Sequence, residues 1–229
     1  RSALQMLRER GVTLVITADC GITAIPEVTF AREIGEDVII LDHHSVPDET
    51  PDACATVNPK MPGSAYPFDE MSTGGLAYRM AHLLVERYGV AVDSDRWLDL
   101  AALSTVADVV PLMADNRWIV AEGLRAIRET PRPGLQALLD VSGLWDQELD
   151  TDSIAFGLAP RINAAGRLDH ALRAVELLME TEPDRATERA QELDRLNLKR
   201  RQLTLEAMAR GEQQLRHEAA DFPITFIGD

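Results

Sequence analysis

A short segment of this chain brings together three side chains that could bind a metal ion. Asp42, His43 and His44 directly follow the apolar run Ile39-Ile40-Leu41. A β-branched apolar run of this kind is typical of a buried strand, and a buried parallel strand carries the residues after it to the carboxyl edge of the sheet. One carboxylate and two imidazoles at such an edge favour a metal centre. A surface loop with two solvated histidines is the alternative.

Two further carboxylates stand at comparable places. Asp19 follows the apolar run Val12–Thr17. Asp108 lies in the otherwise apolar segment 104–111, and a buried carboxylate must be paired, protonated or coordinated. A helix-capping or hydrogen-bonded core aspartate is the alternative for Asp108. A mixed Asp/His set suits Mn²⁺ or Mg²⁺, and two such ions could hold a phosphoryl oxygen and generate hydroxide.

The elements around these residues predict how they meet. The strand before Asp19, a helix over 24–34 and the strand over 38–41 form a strand–helix–strand unit, so the two strands are expected to be parallel. Asp19 and Asp42 should then emerge from the same edge of the sheet. The fold class predicted is α/β: a parallel sheet with flanking helices, followed by a helical segment and a long connector helix.

Composition limits the class of protein. The 229 residues are 45% hydrophobic and 27% charged, typical of a globular protein, and no apolar run approaches the length of a membrane span. The two cysteines form no Cys-x-x-Cys motif, which makes a reduced cytoplasm the default location. A formal net charge of −15 argues against a general polyanion-coating protein but not against an enzyme that grips phosphodiesters through metal ions.

Between the predicted metal ligands the chain alternates between loop and helix. Residues 45–70 hold five prolines and no periodic pattern, which predicts a long irregular loop. A helix is expected from Ser72 to about Tyr88, whose start is either a simple N-cap or an anion site. Further helices are expected over 96–105, 116–129 and 135–141.

The last third of the chain predicts a polar loop and a long helix. Arg161, Asn163 and Arg167 lie among small residues in a loop after a helical turn ending near residue 158. Small residues allow the backbone of such a loop to approach a phosphate closely. The planar guanidinium of arginine offers hydrogen-bond donors whose geometry matches the phosphate oxygens. Arginines that cap helices or pair with acidic residues are the alternative. A helix over 170–179 and another over about 183–217 follow.

Four segments together resemble a known family. Thr17-Ala18-Asp19-Cys20-Gly21-Ile22, Asp42-His43-His44 and Thr105-Val106-Ala107-Asp108 resemble the second, third and fourth motifs of the DHH phosphoesterase superfamily. Pro160-Arg161-Ile162-Asn163-Ala164-Ala165-Gly166-Arg167-Leu168, followed by a long helix, looks like the RecJ branch. That branch comprises exonucleases that digest single-stranded DNA from 5′ to 3′ in repair and recombination.

The resemblance implies a role for each metal-site residue. Asp19 would bridge two metal ions, Mn²⁺ or Mg²⁺, in the intact parent protein, and His43 and Asp108 would be further ligands. Asp42 and His44 would be the catalytic pair, with Asp42 supporting the site and His44 facing the scissile phosphate.

The resemblance also implies partners. Arg161, Asn163 and Arg167 would hold the DNA strand or its 5′ end. Single-stranded DNA is therefore the expected partner, with a single-stranded-DNA-binding protein and a helicase as candidates and no membrane.

The predicted domains are a DHH phosphoesterase domain over 1–141, a helical segment over 142–180 with the Arg161 loop, a connector helix over 181–219 and the start of a further domain over 220–229. The family's first motif, an Asp-x-Asp, and its glycine-rich C-terminal domain are not found in the sequence. We therefore expect the sequence to be an internal fragment that is inactive, or nearly so, by itself.

Three rival functions remain at this point. A site of this family could serve pyrophosphate, oligoribonucleotides or cyclic dinucleotides. The chain could instead belong to a non-catalytic replication scaffold that kept the fold and lost the metals, although the presence of Asp19, His43, His44 and Asp108 argues against that loss. A plain α/β binding module with coincidental motifs is the third.

Overall fold

A computed structural model of the chain describes residues 1–218. The expected start of a further domain over 220–229 lies outside the described residues. Contacts divide the chain into two compact units, of which the first comprises Arg1–Glu129 and the second begins at Thr130. The sequence instead groups the helix before residue 141 with the first domain, and those domain limits stay a prediction.

The first unit is built on a small parallel sheet. Strands β1 (Leu14–Ala18), β2 (Asp37–Leu41) and β3 (Ala55–Val57) pair in that order, and all neighbours are parallel. Ala18 lies opposite Leu41, so the residues that follow β1 and β2 leave the sheet at the same edge. This confirms the α/β class and the predicted strand–helix–strand unit.

Strand β3 corrects the prediction of an irregular loop over 45–70. Its three residues are too few to show a period. What makes the segment a strand is its partner: Cys54 N–H donates to the Val38 carbonyl at 2.9 Å, and Asp42 N–H donates to the Val57 carbonyl at 3.0 Å. Residues 55–57 therefore form a strand because they pair with β2, and not because of a local pattern in the sequence.

Helices surround this sheet in the first unit. They are α1 (Ser2–Glu9), α2 (Ile25–Glu33), α3 (Thr73–Tyr88), a 3₁₀ turn (Ser94–Trp97), α4 (Leu98–Ala107) and α5 (Ala114–Arg128). One core cluster joins α2 to β2, and another joins α3, α4 and α5 through Leu76, Ala101 and Ile119. Apolar burial between α3, α4 and α5 fixes the ends of α3 and α4 that carry site residues.

The start of α3 is an N-cap. Ser72 Oγ accepts from Gly75 N–H at 3.1 Å, and the same oxygen lies 2.8 Å from Thr105 Oγ1 in α4. Both hydroxyl residues are fully buried. This confirms the N-cap, while an anion at this helix start stays a prediction.

The second unit is helical in its described part. It contains α6 (Pro133–Val141), a π-helical turn (Ser153–Leu158), α7 (Ala159–Leu168), α8 (Leu172–Met179) and the long α9 (Pro183–Glu218). The 36-residue α9 agrees with the predicted long helix and packs against α6 and α7. Within residues 1–218, no helix combines the length and the apolarity that a membrane span needs.

Helix α7 corrects the loop predicted around Arg161. Pro160 stands in the first turn of α7, where its missing N–H is no loss, and Ala164 and Ala165 are buried. The alanines of this segment are good helix formers whose small size allows the helix to pack closely. The polar residues of the segment are therefore displayed on a helix.

Candidate metal centre

Asp19 begins the loop that leaves β1. Its φ of +65° is in the left-handed region, which aspartate tolerates better than most residues. Gly21 follows with φ +119°, and a Cβ there would lie 2.8 Å from Thr17 Oγ1, so this turn needs glycine. The Asp19 side chain is 57% exposed, and its Oδ1 accepts from Thr73 Oγ1 at 2.9 Å. The turn thus presents a carboxylate above the sheet edge, held by the start of α3.

Asp42 holds the two loops of this edge together. Its buried side chain accepts from Ile22 N–H at 3.0 Å through Oδ2, and from His43 N–H at 2.9 Å and His44 N–H at 3.2 Å through Oδ1. Burial alone would raise the pKa of Asp42, but the donors from Ile22, His44 and His43 outweigh it and bring the pKa below its ordinary value. Asp42 is a buried anion that orients its neighbours and does not face the open side of the site.

His43 points into the centre of the group. Its Nε2 lies 3.4 Å from Asp19 Oδ1 and 3.2 Å from Asp108 Oδ2. This nitrogen is buried and has no hydrogen-bond partner of acceptable geometry among the residues that the structure describes. An acceptor nitrogen that faces two carboxylates is repulsive unless a proton or a metal cation lies between them. The unsatisfied Nε2 is therefore the observation that fits a bound cation.

His44 lies beside His43 on the open side. Its Nδ1 is 2.7 Å from Asp42 Oδ1, and the ring is 57% exposed. The hydrogen bond to Asp42 raises the pKa of His44 above its ordinary value. Partial burial lowers this pKa, whereas the negative charges of Asp42, Asp19 and Asp108 raise it further. Potential ligand atoms of Asp19, His43 and His44 all lie within 4.8 Å of one another.

Asp108 joins this group from α4, with one correction to the sequence analysis. The sequence predicts a buried carboxylate, but the side chain is 30% exposed. Asp108 is the C-cap residue directly after α4, and the helix before it contributes the buried apolar side chains, including Leu103 and Val106. The apolar residues that precede Asp108 in the sequence therefore form the buried face of α4, whereas the carboxylate of Asp108 lies beside His43.

The structure thus brings Asp19, His43, His44 and Asp108 together and sets Asp42 behind them. Carboxylate oxygen and imidazole nitrogen are donors that suit Mn²⁺, and the oxygens also suit Mg²⁺. Thr73 is a contact of this group that is not among the residues predicted from the sequence. Its place at a Ser-Thr-Gly-Gly helix start is the available signal, but nothing local pairs it with Asp19, 54 positions away.

Thr73→Val tests whether this hydroxyl orients Asp19. The variant keeps the shape of the buried side chain and loses the donor to Asp19 Oδ1. We expect Mn²⁺ to bind about 10–100-fold more weakly, the usual effect of losing a group that orients a ligand. Calorimetric titration measures this directly, with Thr73→Ser expected to bind normally. Thr29→Val, which removes a helix-surface hydroxyl, is the matched control, and equal affinity in Thr73→Val would contradict the role.

The predicted DNA-contacting residues lie in the second unit and differ in their surroundings. Arg161 is largely buried: Nε donates to Asp194 Oδ1 at 2.8 Å, Nη1 to the Gly157 carbonyl at 2.7 Å and Nη2 to the Val141 carbonyl at 3.3 Å. These contacts join α6, α7 and α9. Asn163 and Arg167 are exposed on α7. Arg161 thus has a visible structural role, and DNA contact by all three residues stays a prediction.

Comparison with known proteins finds a family model that matches part of the first unit. The model of the DHH family, N-terminal domain, matches residues 2–105. The segment similar to the DHH domain includes Asp19, Asp42, His43 and His44.

Similarity continues beyond the DHH domain. The single-stranded-DNA-specific exonuclease RecJ of Bacillus subtilis (strain 168) is 44% identical over 216 residues, which are 93% of this chain and 27% of the relative. The protein of the same name from Escherichia coli (strain K12) is 38% identical over 205 residues, which are 85% of this chain and 36% of the relative. The chain therefore spans only about a quarter to a third of these curated relatives.

Solved structures agree with this assignment. A crystal structure of exonuclease RecJ bound to manganese has a TM-score of 0.78 and 34% identity, covering 92% of this chain and 52% of that chain. A RecJ structure in complex with Mn²⁺ from Thermus thermophilus has the same TM-score and identity, covering 91% of this chain and 31% of that chain. The fold of this chain is similar to that of these RecJ structures.

Proposed function

We propose that this chain supplies the metal-binding core of an exonuclease that hydrolyses single-stranded DNA from 5′ to 3′, in repair and recombination. One observation carries the proposal: the buried, unsatisfied Nε2 of His43 faces the carboxylates of Asp19 and Asp108. Similarity to manganese-bound RecJ supports the same chemistry. The natural setting proposed is the cytoplasm, with single-stranded DNA as substrate and a single-stranded-DNA-binding protein and a helicase as partners.

Asp19, His43 and Asp108 would hold the metal, Mn²⁺ or Mg²⁺, with Asp19 able to bridge two ions. When bound, such ions activate water and neutralise charge on a phosphoryl oxygen. The remaining residues position the reacting groups. Asp42 holds the backbone and ring of His44 through hydrogen bonds, and the half-exposed His44 ring would contact the phosphodiester.

Residues of α7 would hold the strand. Asn163 and Arg167 are exposed and four positions apart, so they lie on the same side of the helix. A guanidinium and an amide on one face can bind phosphate oxygens without reading a base, which fits digestion of strands of any sequence. Arg161 would act by holding α7 against α9.

The experiment uses the natural protein in its full length. Strands of DNA or RNA labelled at the 5′ or the 3′ end are incubated with Mn²⁺, and the products of the native protein and of His43→Ala are compared. Release of mononucleotides from the 5′ end of DNA, lost in His43→Ala and kept in the control His82→Ala, is expected.

Other outcomes would overturn the proposal. Digestion from the 3′ end, or hydrolysis confined to short RNA, cyclic dinucleotides or pyrophosphate, would assign a different activity of the family. Absence of both hydrolysis and bound metal would indicate a scaffold.

A further inference from the structure

The segment that follows Asp108 carries three exposed apolar side chains. We name Val109, Leu112 and Met113, which are 87%, 37% and 60% exposed, the apolar ledge. The ledge begins at the residue directly after Asp108, whose Oδ2 lies 3.2 Å from His43 Nε2. Adjacent Cα atoms are about 3.8 Å apart, so Val109 is at the rim of the site.

Val109 is held in an unfavourable backbone conformation. Its φ is +61°, in the left-handed region, which a β-branched residue rarely enters. The conformation ends α4: Asp108 N–H donates to the Ser104 carbonyl at 3.0 Å, and Val109 N–H donates to the Val106 carbonyl at 3.2 Å. Glycine is the usual residue just past a helix end of this kind and would adopt the conformation without strain.

The surrounding structure keeps the ledge in place. Asn116 is fully buried, and its Nδ2 donates to the Pro111 carbonyl at 2.9 Å and to the Glu70 carbonyl at 2.7 Å. Met113 N–H donates to the same Pro111 carbonyl at 2.9 Å. These bonds fix the middle of the segment, two residues after Val109. Strained backbone conformations of this kind cluster at functional sites.

Val109 thus combines strain with an apolar side chain left almost entirely in water. Neither the strained φ nor the exposed side chain of Val109 stabilises the free protein. We therefore expect this side chain to contribute when a ligand packs against it. The proposed function supplies one ligand at this place, because a phosphodiester held by Asp19, His43 and Asp108 carries a nucleoside on each side. An aliphatic surface suits the face of any base, which matches cleavage without sequence preference.

We propose that the apolar ledge packs against the base of a nucleotide that adjoins the scissile phosphate, with Val109 as its main contact. This inference rests on the proposed nuclease function and deepens it, since it assigns a base-contacting surface beside the metal centre. Val109 positions the strand and takes no part in the chemistry.

The test compares Val109→Gly with the native protein in its full length. Glycine relieves the strained φ and removes the side chain, so the melting temperature should stay equal or rise while the KM for single-stranded DNA rises about tenfold, as for loss of an apolar contact of this size. The value of kcat should change little. Val90→Gly, which removes another exposed valine that lies outside the helices, is the matched control and should leave KM unchanged.

A second readout identifies the base as the contact. Strands with an abasic residue at the first or the second position are compared with intact strands. The native protein should have a raised KM for one of the two abasic strands, and Val109→Gly should no longer distinguish that strand from the intact one.

The results separate the two proposals. If the native protein does not cleave single-stranded DNA, the proposed function fails and the inference fails with it. If the native protein cleaves but Val109→Gly has the native KM, or loses affinity equally for intact and abasic strands, only the inference is overturned. A change in protein association with unchanged nuclease kinetics would reassign the ledge to a protein interface and overturn it as well.

Discussion

His43→Ala should abolish the stabilisation of this chain by Mn²⁺. In the native chain, Nε2 of His43 lies within 3.4 Å of Asp19 and Asp108, so its removal deletes the central donor of the candidate metal centre. Mn²⁺ at 100 times its Kd should stabilise the native chain by about 2.7 kcal/mol through mass action. His43→Ala should lose at least about 100-fold in affinity and with it nearly all of this stabilisation.

Calorimetric melting with Mn²⁺ and with a chelator measures the effect. His82→Ala, which removes an imidazole from α3 beside Tyr78, is the matched control and should keep the full metal-dependent shift. The same metal-dependent rise in melting temperature in His43→Ala would refute the assignment of this residue as a ligand.

Asp42→Asn should lower both stability and metal affinity. Asp42 is buried and accepts from the N–H groups of Ile22, His43 and His44 through both of its oxygens. An amide replaces one acceptor by a donor, so at least one buried N–H faces another donor. Loss of charged hydrogen bonds in this setting should reduce the free energy of unfolding by about 3 kcal/mol and weaken Mn²⁺ binding about 10–100-fold.

Denaturant unfolding of the metal-free chain separates the stability effect from the metal effect. Asp52→Asn is the control: Asp52 pairs with Arg32 on the surface, where both side chains are largely exposed, and its loss should leave the stability nearly unchanged. Equal stability of Asp42→Asn and the native chain would show that the buried carboxylate is not what holds the two loops.

The sequence predicts those parts of the site that are set by local patterns. The β-branched runs before Asp19 and Asp42 indicate strands, and the helix between them makes the strands parallel, so the meeting of the two residues at one edge follows. The long α9 likewise follows from its spacing of apolar residues. Each inference depends on side chains close together in the chain.

The parts that the sequence does not predict depend on distant partners. Thr73 reaches Asp19 because the core between α3 and α4 sets the start of α3, and β3 exists because β2 offers hydrogen-bonding groups. The helix at residues 159–168 escapes prediction because small and polar residues suit both a loop and a packed helix. The turn of Asp108 away from the core depends on where α4 ends, which its apolar sequence does not indicate.

The network around Asp42 also determines which substitutions the site can accumulate over evolution. The partners of this carboxylate at residues 22, 43 and 44 include main-chain N–H groups, which every amino acid except proline provides. The side chain at position 22 can therefore change without loss of this hydrogen bond, as long as Ile22 is not replaced by proline. The side chain at position 42 cannot vary in this way, because a carboxylate is needed to accept hydrogen bonds from both loops at once. Among the three residues that Asp42 holds by their backbone, sequence variation should accordingly be greatest at position 22, because the rings of His43 and His44 have their own roles in the site.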